Sequence, residues 1–253
     1  MKVDSFSSYP IFDGHAYYYE NEVEGIQIKR KNVIFDDVEE YKAEKDKVEG
    51  VDSITLIFDI WGNKDYVIEE INSNVSAVKI HNRDQLIDDE KFEEVLNALI
   101  LVRHDIPIIY DAFYYGFELQ YQPSLKHVVQ LAVKFPERKI IVAHSGGHKV
   151  LDYFLHLRPL KNVYYDLSFS IQYLYDSSVF LDFVKLIKYT DKSKLLFGSD
   201  FSWASLRKQL EILTEVVESL ALEEPVVRAI LFENSANLYV SLNNLKADLP
   251  PEN

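Results

Sequence analysis

No cysteine occurs anywhere in the 253 residues, which excludes a disulfide, a thiolate nucleophile and a cysteine-ligated zinc. Any metal must therefore be held by His, Asp, Glu or a modified Lys. Clustered positive charge is also scarce. The net charge is −14 and no basic run exists beyond Lys29 to Lys31, so a nucleic-acid partner is not expected, because phosphate binding draws its affinity from grouped Lys and Arg. The Lys29 to Lys31 triplet itself reads as an exposed loop. No apolar run reaches the roughly 20 residues of a membrane span; LNALILV, for example, stops at Arg103. The opening MKVDSFSSYPIFDGH is interrupted by Asp4, Pro10 and Asp13 and lacks a signal-peptide pattern. A cytoplasmic protein without membrane attachment is expected. Gly/Ser linkers, internal repeats and composition shifts are missing too, so residues 1–253 are expected to form one domain, with 246–253 as a flexible tail.

What is present is an alternation of short apolar runs with segments of helical period. Candidate strands are Ile11 to His15, Ser53 to Ile60, Ala77 to His81, Ile106 to Ala112, Lys139 to His144, Asn162 to Leu167 and Leu195 to Ser199, with Gly25 to Lys29 a further strand or hairpin. Their unalternated character suits strands buried on both faces. Phe92, Val95, Leu96 and Leu99 mark one helical face, Leu206, Leu210, Leu213 and Val217 another, and Pro225 can open a last helix. This order predicts an α/β fold with a parallel sheet, either a (β/α)8 barrel or an open doubly wound sheet.

In both architectures function sits at the C-terminal ends of the strands. Here those ends carry Asp13-Gly14-His15-Ala16-Tyr17, Lys79-Ile80-His81, Tyr110-Asp111, His144-Ser145-Gly146-Gly147, Asp166-Leu167-Ser168 and Gly198-Ser199-Asp200. Three imidazoles, several carboxylates and an ammonium would converge over one mouth if the strands surround a common axis.

The segments FDGHAY, VKIH, IPIIYDAF, IIVAHSGG, VYYDLS, LLFGSDFSW and ENSANLY, in that order from about Phe12 to Tyr239, resemble the amidohydrolase superfamily, and particularly its amidohydrolase 2 branch, which includes decarboxylases and lactonases. The resemblance implies a (β/α)8 barrel whose eighth strand is LLFGSD, and an abbreviated unit between Ile60 and Ala77. In such enzymes a His-x-His pair on the first strand, a His on the fifth and an Asp on the last hold a metal, with another His on the sixth. His15, His144 and Asp200 match; Tyr17 stands at the second position of the pair, and Asp111 where the fifth-strand His is expected.

The implied metal site is His15, Asp111, His144 and Asp200, holding one divalent ion, zinc or manganese, and a site without metal is the alternative. Asp200 is the expected base, and His144 the electrophile or a metal ligand. Tyr17, Lys79, His81, Tyr110 and Trp203 are the candidates for binding a small-molecule substrate, and Arg83 is the candidate to meet a carboxylate. Asp166 and Ser168 are assigned a supporting role. Hydrolysis of a small carboxylated, cyclic ester or amide is the expected activity, with decarboxylation left open beside it; a non-catalytic or metal-free small-molecule-binding barrel is the alternative, and a homodimer is the expected assembly.

Overall fold

The computed structural model describes residues 9–17, 22–23, 25–45, 51–201 and 204–239. Trp203 and the tail at 246–253 lie outside them.

Eight parallel strands form one sheet: β1 (Phe12–Ala16), β4 (Arg30–Phe35), β5 (Ser53–Ile57), β6 (Ala77–Ile80), β7 (Ile108–Asp111), β8 (Ile140–Ala143), β9 (Val163–Asp166) and β10 (Leu195–Leu196). Two short antiparallel strands, β2 (Glu22–Val23) and β3 (Ile26–Gln27), form a hairpin outside that sheet. The sheet curls until its ends meet. Gly14 N–H donates to the Phe197 carbonyl at 3.0 Å, and Asp200 N–H to the His15 carbonyl at 2.8 Å. The architecture is a (β/α)8 barrel.

Helices return the chain between successive strands. They are α1 (Val38–Glu44), α2 (Lys64–Asn74), α3 (Asp89–Ala98), α4 (Leu125–Lys134), α5 (Val150–Leu157), α6 (Ser170–Tyr173) with α7 (Phe180–Tyr189), and, after β10, α8 (Leu206–Ser219), α9 (Glu224–Arg228) and α10 (Asn234–Leu238). The side chains of Asp88 and Ser205 cap α3 and α8 by accepting from the third N–H onward, at 3.0 and 3.2 Å. The apolar faces anticipated on α3 and α8 are buried. No helix among the described residues is long and apolar enough to cross a membrane.

Strand alternation divides the core in two. Ala77, Ile109, Ile141, Ala143 and Leu196 cluster on one face of the sheet. Val78, Ile80, Ile108, Tyr110, Ile140 and Val142 pack with the helices on the other. Each strand therefore sends every second residue inward, and its last inward position opens at the C-terminal mouth.

Two expectations need correction. The missing barrel strand is Arg30–Phe35, while Gly25 to Lys29 contributes Ile26–Gln27 to the hairpin, and of the Lys29 to Lys31 triplet only Lys29 is exposed, Arg30 and Lys31 lying in β4. Arg30 pairs with Asp52 at 2.9 Å, and Lys31 is buried close to the Asp13 carboxylate. The charged start RKN hid a strand whose Asn32 is also buried, bonded to Thr55 Oγ1 at 2.8 Å. The segment from Ile60 to Ala77 is not abbreviated either, since α2 supplies a complete crossover there.

Gly198, just after β10, packs closely against β1 and β9. A Cβ at this position would lie 2.7 Å from His15 Cβ and 3.0 Å from both His15 N and Asp166 Oδ1. Gly198→Ala is therefore expected to destabilise the fold by about 1–3 kcal/mol through overpacking, read as a lowered midpoint of urea denaturation.

Candidate active site

The inward positions at the mouth bring together His15 (β1), Asp36 after β4, Lys79 (β6), Asp111 (β7), His144 after β8, Asp166 (β9) and Asp200 after β10. A cavity of about 480 Å³ is lined by Tyr17, Asp36, Lys79, His81, Arg83, Asp84, Asp111, Phe113, Tyr115, His144, Phe169 and Asp200.

His15 anchors the arrangement. Its Nδ1 lies 2.7 Å from Asp166 Oδ2, and Asp166 also accepts from Ser168 Oγ at 2.6 Å and Ser168 N–H at 2.9 Å. Burial pushes the Asp166 carboxyl up, but the charge and hydrogen bond of His15, with His144 and Ser168, hold it down at about 2. An ionised acceptor at Nδ1 fixes the proton there and leaves Nε2 with its lone pair. That Nε2 is buried and has no hydrogen-bond partner; Asp200 Oδ1 lies 3.8 Å away.

His144 packs beside it, with ring centroids 4.8 Å apart. Its Nδ1 meets Ser168 Oγ at 3.1 Å and the Ser168 carbonyl at 3.3 Å. Its Nε2 lies 3.6 Å from Asp111 Oδ2. Burial pulls the imidazole down, but the close approach of Asp111, with Asp200 and Asp166 nearby, raises it to about 9. Asp111 is in turn held well below the usual carboxylate range, burial being outweighed by His81, His144 and Lys79. His81 Nδ1 accepts from Asp84 N–H at 3.4 Å, so Nε2 carries the proton toward Asp111 and Asp84, at 3.3 and 3.2 Å. His81 is thus a donor in this site.

A second charge centre occupies the other side. Asp36 Oδ2 accepts from Tyr17 OH at 2.7 Å and from Lys79 Nζ at 3.1 Å. Lys79 is 1% exposed; burial lowers its ammonium, but Asp36 and the remaining carboxylates more than restore it, and it stays charged. Burial likewise raises the Tyr17 phenol, which remains protonated. Tyr17 therefore turns to Asp36.

Backbone strain gathers at the same place. Among the described residues six non-glycine residues have positive φ, and four of them, His144 (55°), Ser145 (51°), Phe169 (56°) and Asp200 (53°), lie in the turns after β8, β9 and β10. Such conformations persist only where the surroundings over-determine them, and they concentrate at functional sites.

His15, Asp111, His144, Asp200, Tyr17, Lys79 and His81 are thus brought together, and Arg83 joins them at the cavity wall. Tyr110 is not. It lies one residue before the inward Asp111, so it points outward, where it is fully buried and bonded to Asn82, Ser124 and His127 at 2.5, 3.0 and 3.0 Å; it cannot line the pocket. Trp203 falls outside the described residues. Sequence reasoning missed Asp36, whose signal was the run VIFDD closing an unrecognised strand. It also missed Phe113 and Phe169, for which no sequence signal existed.

The donor chemistry fits a divalent metal. His15, His144 and Asp166 offer ligand atoms within 4.8 Å of one another, and the orphaned His15 Nε2 is the lone pair such an ion would use. Asp166 is already saturated by hydrogen bonds, which makes it the residue that orients His15. Asp111 and Asp200 are the carboxylates left to face the ion.

A family model described as Amidohydrolase matches residues 65–240. No curated protein matches the chain. Among solved structures, the inactive dihydroorotase-like domain of a Chaetomium thermophilum CAD-like multifunctional protein superposes with a TM-score of 0.64 at 14% identity, covering 91% of this chain and 79% of that one. An uncharacterised TIM-barrel protein of Bordetella bronchiseptica gives 0.62 at 14% identity, with 83% and 77% covered. The dihydroorotase of Saccharomyces cerevisiae gives 0.60 at 10% identity, with 91% and 84% covered.

In metal-free protein His144 should titrate near 9 by imidazole NMR, and Asp111→Asn should lower that value by about one unit or more. Because the folded value exceeds the ordinary 6.5, the stability that this group contributes is complete below about 6.5 and is lost as pH rises through 9.

Proposed function

This chain belongs to the amidohydrolase family, and from that premise we propose that it hydrolyses a cyclic ester or amide within a small carboxylated substrate, with Asp200 as general base. The observation that carries this reading is the meeting of Asp200 and His144, both on strained backbone, in one cavity, with the unpartnered His15 Nε2 buried 3.8 Å from Asp200 Oδ1. Backbone strain of this kind clusters at functional sites.

Asp200 takes a proton from water, the resulting hydroxide adds to the carbonyl carbon, and the carbonyl π pair moves to oxygen. In the metal-free protein the charged His144, raised to about 9, donates to that oxyanion. The tetrahedral species then expels the ring oxygen or nitrogen, which receives the proton held by Asp200. His15, fixed by Asp166, places its Nε2 lone pair 3.8 Å from Asp200 Oδ1. A divalent ion, zinc or manganese, held by His15, Asp111, His144 and Asp200 would polarise the carbonyl and acidify water. In that form His144 is a ligand. The substrate carboxylate falls to Arg83, whose Nη1 is buried without a partner, and to Lys79 and His81 nearby. The strongly negative chain is suited to a small molecule and not to nucleic acid.

One observation favours a second reading, a binding barrel without turnover. Tyr17, at the position where the resemblance expects a metal-binding His, is committed to Asp36, and one of the structural neighbours is itself described as inactive.

A panel of carboxylated lactones and cyclic amides tests the proposal on tag-free protein. Asp200→Asn is expected to lower kcat on the order of a thousandfold with an unchanged circular dichroism spectrum. Arg83→Met should raise KM by about tenfold or more at similar kcat. Elemental mass spectrometry of the same preparations, with His15→Ala as control, decides whether an ion is held. Full activity in Asp200→Asn would exclude the mechanism, and no turnover across the panel would favour the binding barrel.

A further inference from the structure

Asp13 is the one carboxylate of the strand-end segments that the reaction above leaves without a role. It is 0% exposed and is not among the residues lining the cavity. Its Oδ1 accepts from His15 N–H at 3.2 Å and from Ser199 N–H at 2.8 Å, and its Oδ2 accepts from the Ser199 hydroxyl. A carboxylate takes several donors at once, whereas an amide of the same shape offers a single acceptor atom.

The two residues it holds stand at the two strand exits that meet in the site. Between Asp13 and Ala16 the pairing of β1 with β4 slips by one, since Asp13 faces Lys31 while Ala16 faces Val33. Such a bulge re-aims side chains. Its backbone groups are met from outside the β1–β4 ladder: His15 N–H by Asp13 itself, Gly14 N–H by the Phe197 carbonyl at 3.0 Å, and the His15 carbonyl by Asp200 N–H at 2.8 Å. On the other exit Ser199 precedes Asp200, whose φ is 53°. Besides its two bonds to Asp13, Ser199 accepts at Oγ from Phe201 N–H at 3.0 Å and at its carbonyl from Gln209 Nε2 at 2.5 Å. Every polar atom of Ser199 is thus bonded, and rotating the turn through Asp200 breaks at least one of these bonds. The charge of Asp13 is balanced within its own register pair. Lys31, which faces it, is buried; burial lowers its ammonium, and Asp13 and Asp52 raise it.

We propose that Asp13 is the positioning residue of this site: by bonding to both His15 and Ser199 it sets the spacing of His15 Nε2 and Asp200 and keeps the base in its strained conformation. This rests on Asp200 being the base of the reaction above, and it gives Lys31 the task of neutralising the positioning carboxylate.

The test uses full-length, tag-free protein. In Asp13→Asn at least one of the three accepted bonds is lost and Lys31 loses the charge it faces, so a lowered urea midpoint is expected. Combining Asp13→Asn with Lys31→Met removes the unpaired ammonium and should recover most of that midpoint, while the bonds to Ser199 and His15 stay broken. In the crystal structure of this double variant the separation of His15 Nε2 and Asp200 Oδ1 should differ from that of wild type by on the order of 1 Å, or Asp200 should leave the positive-φ region. Misplacement on that scale should lower kcat about a hundredfold on whichever lactone or cyclic amide of the panel is turned over, with KM nearly unchanged. Ser199→Ala keeps Lys31 and removes only the hydroxyl bond, and should show the same kcat-selective loss at about tenfold. A double variant with wild-type geometry at Asp200, or with undiminished kcat, would overturn the proposal. If neither Asp13 variant folds, Ser199→Ala carries the test with the same two readouts, and unchanged geometry and kcat in it would likewise overturn the proposal. If wild type turns over nothing on the panel, the hydrolytic reading falls and the crystallographic comparison alone decides the positioning. Turnover that the variants retain in full leaves the hydrolytic reading standing and removes Asp13 from it.

Discussion

The hydrogen bond between His15 and Asp166 is the constraint on which the site depends. It joins the first strand of the barrel to the seventh, across the eighth, inside a space so tight that position 198 tolerates no Cβ. A carboxylate buried this deeply must be paired and fully hydrogen-bonded or the fold bears its desolvation. His15, Ser168 and the backbone meet that demand together. The same bond that satisfies Asp166 fixes the tautomer of His15 and turns its free nitrogen toward Asp200. Barrel closure and site assembly are therefore one event.

Around this anchor the pocket is electrostatically crowded. Asp36, Asp111, Asp166 and Asp200 stand at one mouth with His15, His81, His144 and Lys79, and each charge is tolerable only because opposite charges surround it. His144 is raised by carboxylates, Asp111 is lowered by imidazoles and Lys79, and Lys79 is kept charged by Asp36. Removing a single member exposes the others to an unbalanced low-dielectric environment. The Tyr17, Asp36 and Lys79 group lines the same cavity as His144 and Asp200, and the Tyr17 ring lies 6.5 Å from that of His15.

Strain supplies the remaining order. Three consecutive strand ends, those of β8, β9 and β10, leave the sheet through left-handed non-glycine residues. The adjacent Gly146 and Gly147 also have positive φ, and a Cβ there would meet Tyr153 at 2.6 Å and Phe113 at 2.9 Å. Gln209 and Asp13, both fully buried, brace these exits by bonding to Ser199 and Phe169. The rigid wall so formed faces a more polar wall on the side of β4 to β7.

Much of this was legible in the residues themselves. Seven of the eight barrel strands, the buried faces of α3 and α8, and the family were set by apolar runs and by segments such as IIVAHSGG and LLFGSD, because burial on both faces demands continuous apolar sequence. His15, His144 and Asp200 were legible for the related reason that strand ends form the mouth. The strand Arg30–Phe35 was not, because its buried Lys31 and Asn32 are satisfied by partners distant in the chain, and Asp36 was lost with it. Tyr110 was misplaced because one residue of strand register decides between pocket and outer core. The sequence alone determined which chemical groups reach the mouth; only the tertiary structure decided which nitrogen stays free, which carboxylate faces which imidazole, and where a phenylalanine is held in strain, because those depend on contacts between strands that closure alone brings together.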